Sequence, residues 1–418
     1  MDSLNDRPLR IALLSYRSKP HCGGQGVYVR NLSRELVALG HHVEVFSGHP
    51  YPELDAGPVL RRLPSLDLYL EYPFRAPPVR QWRDPIDAVE VAAMWTAAFP
   101  EPLTFSLRAA RELRPRAADF DVVHDNQSLG YGLLAIRATR LPVVATIHHP
   151  ISIDRRIELE QAETFRRRLI LHRWYGFVRM QRRVAARLSP IVTVSRAAAA
   201  DIQREFGVPA ARLRVVPLGV DTDAFRPPSL PRQPGRIVAV ASADTPLKGV
   251  ATLLRAVAKL ATERDVSLTV IGQSRPSRET RRLIEELSIA DRVRFTGGLE
   301  QADMAAELGR AEVAVVASLY EGFSLPAIEA MACGTPLVAT RAGALPEVVA
   351  DAGRLVGPAD AEELRSALLD LLDDAEQRTR LGEAGLRRVR ERFTWRRAAE
   401  ETVRCYREAI ASRATGPC

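Results

Sequence analysis

Short apolar runs alternate along the chain with longer stretches in which apolar residues recur at helical spacing. In the first half, runs rich in Val, Ile and Leu occupy residues 9–16, 42–47, 120–125, 142–149, 191–195 and 213–219. Uninterrupted apolar runs of this length are typical of strands that are buried on both faces, as they are in a parallel sheet. Their alternation with helices predicts a doubly wound α/β domain.

A second domain of the same class is predicted after a break in this pattern. Residues 221–235 are rich in proline and follow neither periodicity, which is typical of a linker. Further apolar runs then follow at residues 236–242, 266–272, 292–297, 312–318, 336–340 and 353–357. Folds of this class bind ligands at the carboxyl ends of their strands. We therefore expect two Rossmann-like domains, residues 1–222 and 223–393, that face each other across a cleft.

The C-terminal segment, residues 394–418, is predicted to contain an amphipathic helix that packs back on the first domain. Its apolar residues recur at helical spacing, at Trp395, Ala398, Ala399, Val403, Tyr406 and Ile410.

Composition agrees with an ordinary globular protein. The 418 residues are 46% hydrophobic and 26% charged, which is enough apolar material for two cores. The formal net charge of +8 suits an anionic small molecule or an anionic membrane surface. We expect no nucleic-acid partner, because no base-reading module is recognisable.

The cysteines and the absence of long apolar segments indicate the compartment. Cys22, Cys333, Cys405 and Cys418 are scattered without a C-x-x-C pair, so neither a disulfide framework nor a zinc site is predicted. The N-terminal residues do not have the pattern of a secretory signal, and no apolar run is long enough to span a bilayer. We expect a cytoplasmic protein whose only membrane contact would be peripheral, at the inner face.

One segment bears directly on such contact. Residues 155–188 hold ten arginines against three glutamates, interspersed with Phe165, Leu169, Trp174, Phe177, Val178 and Val184. The favoured interpretation is a domain helix with an apolar inner face and a solvated arginine face. The alternative is a basic helix that rests on an anionic bilayer or brings in an anionic acceptor.

Two segments carry the features of anion sites. Gly23, Gly24 and Gly26 follow the first strand and lead into a helix, where main-chain amides can bind a phosphate, although a simple turn fits equally well. A dinucleotide site fits less well, because the third glycine of that fingerprint is missing. Lys248 stands at the head of another helix, either as a charge directed at an anion or as a surface lysine.

The stretch EGFSLPAIE, residues 321–329, places one glutamate on each side of a predicted helix start. Glu321 follows the strand at 312–318, Ser324 is the predicted N-cap, and Glu329 lies in the second turn. A carboxylate can accept hydrogen bonds from two adjacent hydroxyls, so one acid could hold a ribose diol and the other a sugar, with the amides of Phe323–Leu325 facing phosphate. A metal site is disfavoured, because neither a DxD motif nor a histidine-rich cluster lies nearby. A glycosidase acid pair is possible but would leave the two anion sites unexplained. A solvated face stays an alternative for Glu329.

These motifs together resemble a known family. TIHHP, VVPLGVDTDAF, LKGVATLLRA and EGFSLPAIEAMACGTPLVAT are similar to segments of family 4 of the retaining glycosyltransferases with the GT-B fold (glycosyl transferases group 1), and the likeness covers nearly the whole chain. It implies an acceptor-binding first domain and a nucleotide-sugar-binding second domain. It also implies that Glu321 contacts the transferred sugar, that Glu329 binds the ribose, and that His148 matches a Thr-x-His position near the sugar or acceptor.

The resemblance implies a metal-independent site in which Gly23, Gly24 and Lys248 hold the diphosphate. The expected catalytic residues are His148, Lys248 and Glu321. The expected donor-binding residues are Gly23, Gly24, Ser242, Lys248, Glu321, Gly322, Phe323, Ser324, Leu325 and Glu329. One departure is that the family's usual arginine before the lysine is replaced here by Ser242, Ala243 and Asp244.

The predicted reaction moves a hexose from a nucleoside diphosphate sugar, the co-substrate, to a hydroxyl with retained configuration, and no other cofactor is expected. The leaving diphosphate would accept the acceptor's proton on the same face. The acceptor is not identified; loops between residues 50 and 100 are expected to select it. The alternatives are a nucleotide-sugar epimerase, a phosphorylase, or a non-catalytic nucleotide-sugar-binding protein on the same fold.

Overall fold

The computed structural model describes residues 7–18, 24–68, 77–160, 162–241, 246–272 and 275–414. It contains a seven-stranded and a six-stranded parallel sheet. The first sheet consists of β1 (Arg10–Ser15), β2 (His42–Ser47), β3 (Val59–Arg62), β4 (Val122–Asn126), β5 (Val143–Ile147), β6 (Ile191–Thr193) and β7 (Leu213–Val215). The second consists of β8 (Gln233–Val240), β9 (Ser267–Ile271), β10 (Val293–Thr296), β11 (Ala311–Val316), β12 (Leu337–Thr340) and β13 (Arg354–Val356).

Helices connect these strands. Those of the first half are α1 (Gly24–Ala38), α2 (Pro85–Trp95), α3 (Glu101–Leu113), α4 (Gly132–Arg137), α5 (Ile151–Glu160), α6 (Phe165–Trp174), α7 (Val178–Ala185) and α8 (Arg196–Phe206). Those of the second half are α9 (Val250–Leu260), α10 (Arg278–Glu286), α11 (Gln301–Arg310), α12 (Leu325–Ala332), α13 (Leu345–Val349), α14 (Ala361–Asp373), α15 (Ala375–Arg392) and α16 (Trp395–Ala414). The prediction of two doubly wound α/β sheets is confirmed.

The order of strands positions the ligand site. The first sheet runs β3-β2-β1-β4-β5-β6-β7, and the second runs β10-β9-β8-β11-β12-β13. In each sheet the direction of winding reverses between two central strands, at β1/β4 and at β8/β11. Loops diverge at such a switch point and leave a crevice at the carboxyl ends of the strands. Both crevices line one cavity, described below.

Helix α16 packs on the first sheet, against α1, β4 and β5. Its Tyr406, which is fully buried, shares a hydrogen bond of 2.6 Å with His124 Nδ1, and His124 Nε2 lies 2.7 Å from Thr146 Oγ1. Thr146 Oγ1 is in turn 3.0 Å from the Tyr28 hydroxyl. A buried polar chain therefore fastens the terminal helix to the first sheet and α1. The predicted domain boundaries themselves stay a prediction.

The prediction of one helix over residues 155–188 is wrong. The segment falls in α5, α6 and α7, and Thr164 begins α6 by accepting a hydrogen bond from Arg167 N at 3.2 Å. Phe165 and Leu169 were expected on an inner face, but they are 82% and 50% exposed. Within the described part of the chain, every helix is too short or too polar to cross a bilayer.

Candidate active site

A cavity of about 310 Å³ lies between the carboxyl ends of the two sheets. Most of the residues expected from the sequence line it: Gly24, His148, Lys248, Glu321, Gly322, Phe323, Ser324, Leu325 and Glu329. Gly23 and Ser242, also expected there, lie outside the described residues. Both halves of the chain therefore contribute to a single site.

Lys248 and Glu321 form an ion pair at the β8/β11 switch point. Lys248 Nζ donates to Glu321 Oε1 at 2.8 Å, and Ser318 Oγ donates to the same oxygen at 2.7 Å. The two side chains are 23% and 11% exposed, so Lys248 is not the surface lysine of the alternative interpretation. The pair places a cation and a carboxylate side by side on one wall of the cavity.

Backbone geometry next to Lys248 explains why a glycine follows it. Gly249 has φ +63°, in the left-handed region, and a Cβ there would lie 1.9 Å from the Ala317 carbonyl oxygen. The loop after β8 therefore passes directly over the end of β11. Only glycine permits this approach, which brings Lys248 to Glu321.

The start of α12 differs in detail from the prediction. Ser324 occupies the N-cap position, but its φ is +94° and its side chain caps no amide. Its Oγ is buried and has no hydrogen-bond partner among the described residues. Because the first amides of a helix lack intrahelical partners, this helix start can bind an anionic oxygen.

Glu329 is buried, with 7% exposure, and it faces the cavity. Among the described residues its carboxylate has no ion pair or hydrogen bond, and burial raises its pKa to about 7. The solvated-face alternative is therefore wrong for Glu329. An unpaired buried carboxylate of this kind is suited to hydrogen-bond a hydroxyl of a ligand.

His148 is hydrogen-bonded to Asn126, the last residue of β4, and to Gln127, which follows it. Its Nε2 lies 2.8 Å from Asn126 Oδ1, and its main-chain N donates to Gln127 Oε1 at 2.7 Å. An amide oxygen only accepts, so Nε2 carries the hydrogen and Nδ1 is the acceptor. Burial, and secondarily the neighbouring His149, lowers the pKa of His148 to about 3. The imidazole is therefore neutral at physiological pH.

His149, the next residue, also lines the cavity. Its Nε2 is 2.9 Å from Asp154 Oδ2. Burial is the largest influence on its pKa and lowers it, but the carboxylates of Asp154 and Glu321 outweigh burial, and the net effect raises the pKa. His149 therefore has a greater tendency than His148 to carry a positive charge.

Sequence reasoning missed Asn126, Gln127 and Ser318, which orient His148 and Glu321. Their position in the chain could have identified them, because each lies at or just after the carboxyl end of a central strand. Within the described ranges, no group of three or more His, Cys, Asp or Glu side chains is placed to hold a metal ion.

Comparison with known proteins gives family matches over both halves. Residues 221–388 match a family model described as glycosyl transferases group 1. Residues 22–224 match one described as glycosyltransferase family 4. Together the two matches span residues 22–388 without a gap.

Individual relatives extend over nearly the full length. An MMP alpha-(1->4)-mannosyltransferase from Mycolicibacterium hassiacum is 57% identical over 408 residues, covering 96% of this chain and 99% of the relative. A D-inositol 3-phosphate glycosyltransferase from Saccharomonospora viridis is 30% identical, covering 97% of this chain and 95% of the relative. A solved sucrose-phosphate synthase from Thermosynechococcus elongatus has a TM-score of 0.73 and 26% identity, covering 97% of this chain and 100% of that chain.

Proposed function

This chain belongs to family 4 of the glycosyltransferases, the group 1 glycosyl transferases, and from that premise we propose that it transfers an α-mannosyl residue from a nucleoside diphosphate mannose to a hydroxyl of a saccharide. It is a glycosyltransferase with the two-domain GT-B fold. The proposal adds the sugar, the linkage and the stereochemistry: an α-(1→4) bond formed with retention.

The observation that carries the choice of mannose is the relationship to the M. hassiacum enzyme. At 57% identity over 96% of this chain and 99% of the relative, the two proteins share the whole of both domains. That relative is named as an alpha-(1->4)-mannosyltransferase. The 4-hydroxyl of a sugar residue is accordingly the proposed nucleophile.

The cavity supports a specific placement of the donor. The proposed diphosphate lies at Lys248 and at the amides that begin α12, beside the unpartnered Ser324 hydroxyl. Glu321, displaced from Lys248 by the incoming phosphate charge, accepts hydrogen bonds from the sugar hydroxyls. Glu329 accepts hydrogen bonds from the ribose diol, which gives its buried carboxylate the partners that it does not find among the described residues.

The proposed step breaks the bond between the anomeric carbon and the diphosphate oxygen and forms a bond to the acceptor oxygen on the same face. Breaking that bond leaves its electron pair, and hence negative charge, on the departing diphosphate, which then accepts the acceptor's proton. Lys248 and the main-chain amides stabilise that charge. His148, neutral and oriented by Asn126, offers Nδ1 as an acceptor to a hydroxyl of the sugar or the acceptor.

We propose that the reaction needs neither a metal ion nor an organic cofactor, because the charge on the leaving group is assigned to Lys248 and helix amides. Transfer in the presence of EDTA is therefore expected at the same rate as in its absence. A loss of activity in EDTA that is restored by a divalent cation would contradict this part of the proposal.

The test begins with a thermal-shift panel of mannose and glucose linked to GDP, UDP and ADP, since a ligand that binds only the native state raises the melting temperature. The donor that stabilises most is then incubated with mannosides, and the product is analysed by NMR. We expect an α-(1→4)-mannosyl product and release of the nucleoside diphosphate. A changed donor sugar without transfer would indicate an epimerase, and a β product would contradict retention.

A further inference from the structure

The loop that carries Glu321 is bound on both sides by helix α8. The Tyr320 hydroxyl donates to Asp201 Oδ2 at 2.7 Å. On the other side of Glu321, Ser195 Oγ donates to the Gly322 carbonyl oxygen at 2.6 Å. Ser195 is the N-cap of α8 and Asp201 lies within it. Both neighbours of Glu321 are therefore hydrogen-bonded to one helix, which packs on the first sheet.

A third contact joins the same helix to the same loop. Glu347, in α13, accepts hydrogen bonds from Arg196 N at 3.2 Å and Ala197 N at 3.0 Å, where a carboxylate is favoured by the helix dipole. The turn before α13 is itself attached to the loop, because Ala344 N donates to the Glu321 carbonyl oxygen at 2.9 Å. The first turn of α8 thus supports Glu321 through two routes.

The two α8 residues in the first pair of contacts are buried: Ser195 and Asp201 are 2% and 8% exposed. A Cβ on Gly322 would lie 2.7 Å from the His148 carbonyl oxygen, which leaves the loop little room to move towards the first sheet. Burial, together with the adjacent Asp201, raises the pKa of Tyr320, so its hydroxyl keeps the donated proton.

We propose that Ser195, Asp201 and Tyr320 are positioning residues for sugar transfer: α8 holds the Tyr320 side chain on one side of Glu321 and the Gly322 carbonyl on the other, and so aims the Glu321 carboxylate at the transferred sugar. The inference rests on the proposed function. These side chains act through Glu321 and do not need to contact the donor. A misplacement of about 1 Å at a reacting centre can cost on the order of a hundredfold in rate, so small shifts of this loop matter.

The competing explanation is that the three residues only hold the two halves of the molecule together. Such a role would change stability, or donor affinity, without a separate effect on the chemical step. The positioning role instead predicts a lower kcat at unchanged donor affinity. Tyr175 provides a matched control, because its hydroxyl donates to Glu158 Oε1 at 2.7 Å and neither residue lines the cavity.

The experiment compares Tyr320→Phe with Tyr175→Phe in the full-length chain, each of which loses one hydrogen bond from tyrosine to a carboxylate. For Tyr320→Phe we expect kcat to fall about tenfold, because a small displacement of Glu321 is enough to slow the chemical step, with the donor Kd within about twofold of wild type. For Tyr175→Phe we expect unchanged kcat and a similar loss of melting temperature. Equal kcat values for the two variants, or a fall in kcat matched by weaker donor binding, would overturn the proposal.

A double variant tests whether Tyr320 acts through Asp201. In the Asp201→Ala background, Tyr320→Phe should cost no further kcat, because the shared hydrogen bond is already absent. Two independent, additive losses would overturn the assignment. All rates are measured with whichever nucleotide sugar the panel identifies. If that donor is not a mannose derivative, the mannosyl proposal fails while the comparison of variants still decides the positioning role.

Discussion

At the scale of single residues, the Lys248–Glu321 pair accounts for two demands of the site. Each side chain neutralises the other at 2.8 Å, which keeps two partly buried charges compensated. In the proposed complex, the phosphate and the sugar hydroxyls provide each with a new partner. The ion pair therefore compensates both charges without committing either group to a permanent partner.

Lys248→Met tests the cation. We expect kcat/KM to fall by about a hundredfold or more, because the leaving diphosphate loses its charged partner. Lys259→Met is the matched control, since Lys259 Nζ also pairs with a glutamate, Glu362, at 2.7 Å, but both side chains are more than half exposed. Steady-state kinetics of both variants provide the measurement. Equal activity of the two would remove Lys248 from the account.

Glu329 gives the site a predicted pH dependence. Its pKa of about 7 means that the carboxylate is half protonated near neutral pH, and hydroxyl donors of a ligand favour the charged form. Binding therefore releases a proton, and the Kd of the intact nucleotide sugar should be about tenfold weaker at pH 6 than at pH 8. Calorimetric titration measures this, with a nucleotide sugar because its phosphates do not titrate in this range.

The control for that titration is Glu329→Gln, in which the pH dependence should largely disappear, whereas His149 and its own titration are retained. The titration of Glu329 affects folding stability in the opposite direction from donor binding. A carboxyl whose pKa is raised by folding contributes stability at low pH that is lost as pH rises through 7. Glu329→Gln should accordingly gain stability relative to wild type between pH 5 and pH 8. An unchanged pH dependence of binding would show that another group is responsible.

A site residue could be predicted when the sequence pattern that identifies it spans only a few neighbouring positions. Lys248, Glu321 and Glu329 lie at strand ends and helix starts, so their positions follow from a pattern that spans a few residues. Ser195 and Tyr320 depend on contacts with residues more than a hundred positions away. No short window of sequence contains that information. Only the packing of α8 against the other half brings them to Glu321.

At the scale of elements, the crossing of the loop after β8 over β11 determines where Lys248 stands. Gly249→Ala should lower the melting temperature and weaken donor binding, because its Cβ would meet the Ala317 carbonyl oxygen at 1.9 Å. Gly207→Ala is the control. Its φ of +69° is equally unfavourable for alanine, by about 1 kcal/mol, but a Cβ at this position would have no neighbouring atom within 4 Å. If both variants behave alike, the close approach is not what positions Lys248.

The anchoring of α16 makes a second prediction at this scale. Tyr406→Phe removes the hydroxyl that bonds to His124 and should destabilise the fold by about 1–3 kcal/mol, because a buried polar atom loses its partner. Tyr131→Phe, whose hydroxyl meets Arg183 at 3.1 Å in a 38% exposed residue, should cost much less. Denaturant unfolding of both variants measures the difference, and similar losses would contradict a structural role for the buried chain.

Elements themselves were predictable where burial imposed an apolar run. The strand missed was β3, residues Val59–Arg62, an edge strand with two arginines and largely exposed side chains. The division of residues 155–188 into α5, α6 and α7 was missed because each piece keeps helical spacing. Peripheral membrane contact through this segment stays a prediction, which the exposed Phe165 and Leu169 make testable with anionic vesicles.

At the scale of the whole molecule, two sheets with the same winding present their switch points to one cavity. The first sheet contributes His148 and the residues that orient it, and the second contributes Lys248, Glu321 and Glu329. In the proposed complex the donor bridges the two halves, which exclude water from it and so limit its hydrolysis. Under this proposal the two halves serve both recognition and chemistry.

The most direct test is a crystal structure of the protein with a non-hydrolysable analogue of its nucleotide sugar. The account predicts the diphosphate within hydrogen-bond distance of Lys248 Nζ and the first amides of α12, the ribose diol on Glu329, and the sugar hydroxyls on Glu321. An analogue bound elsewhere, or one in the cavity with its diphosphate directed away from Lys248, would contradict it.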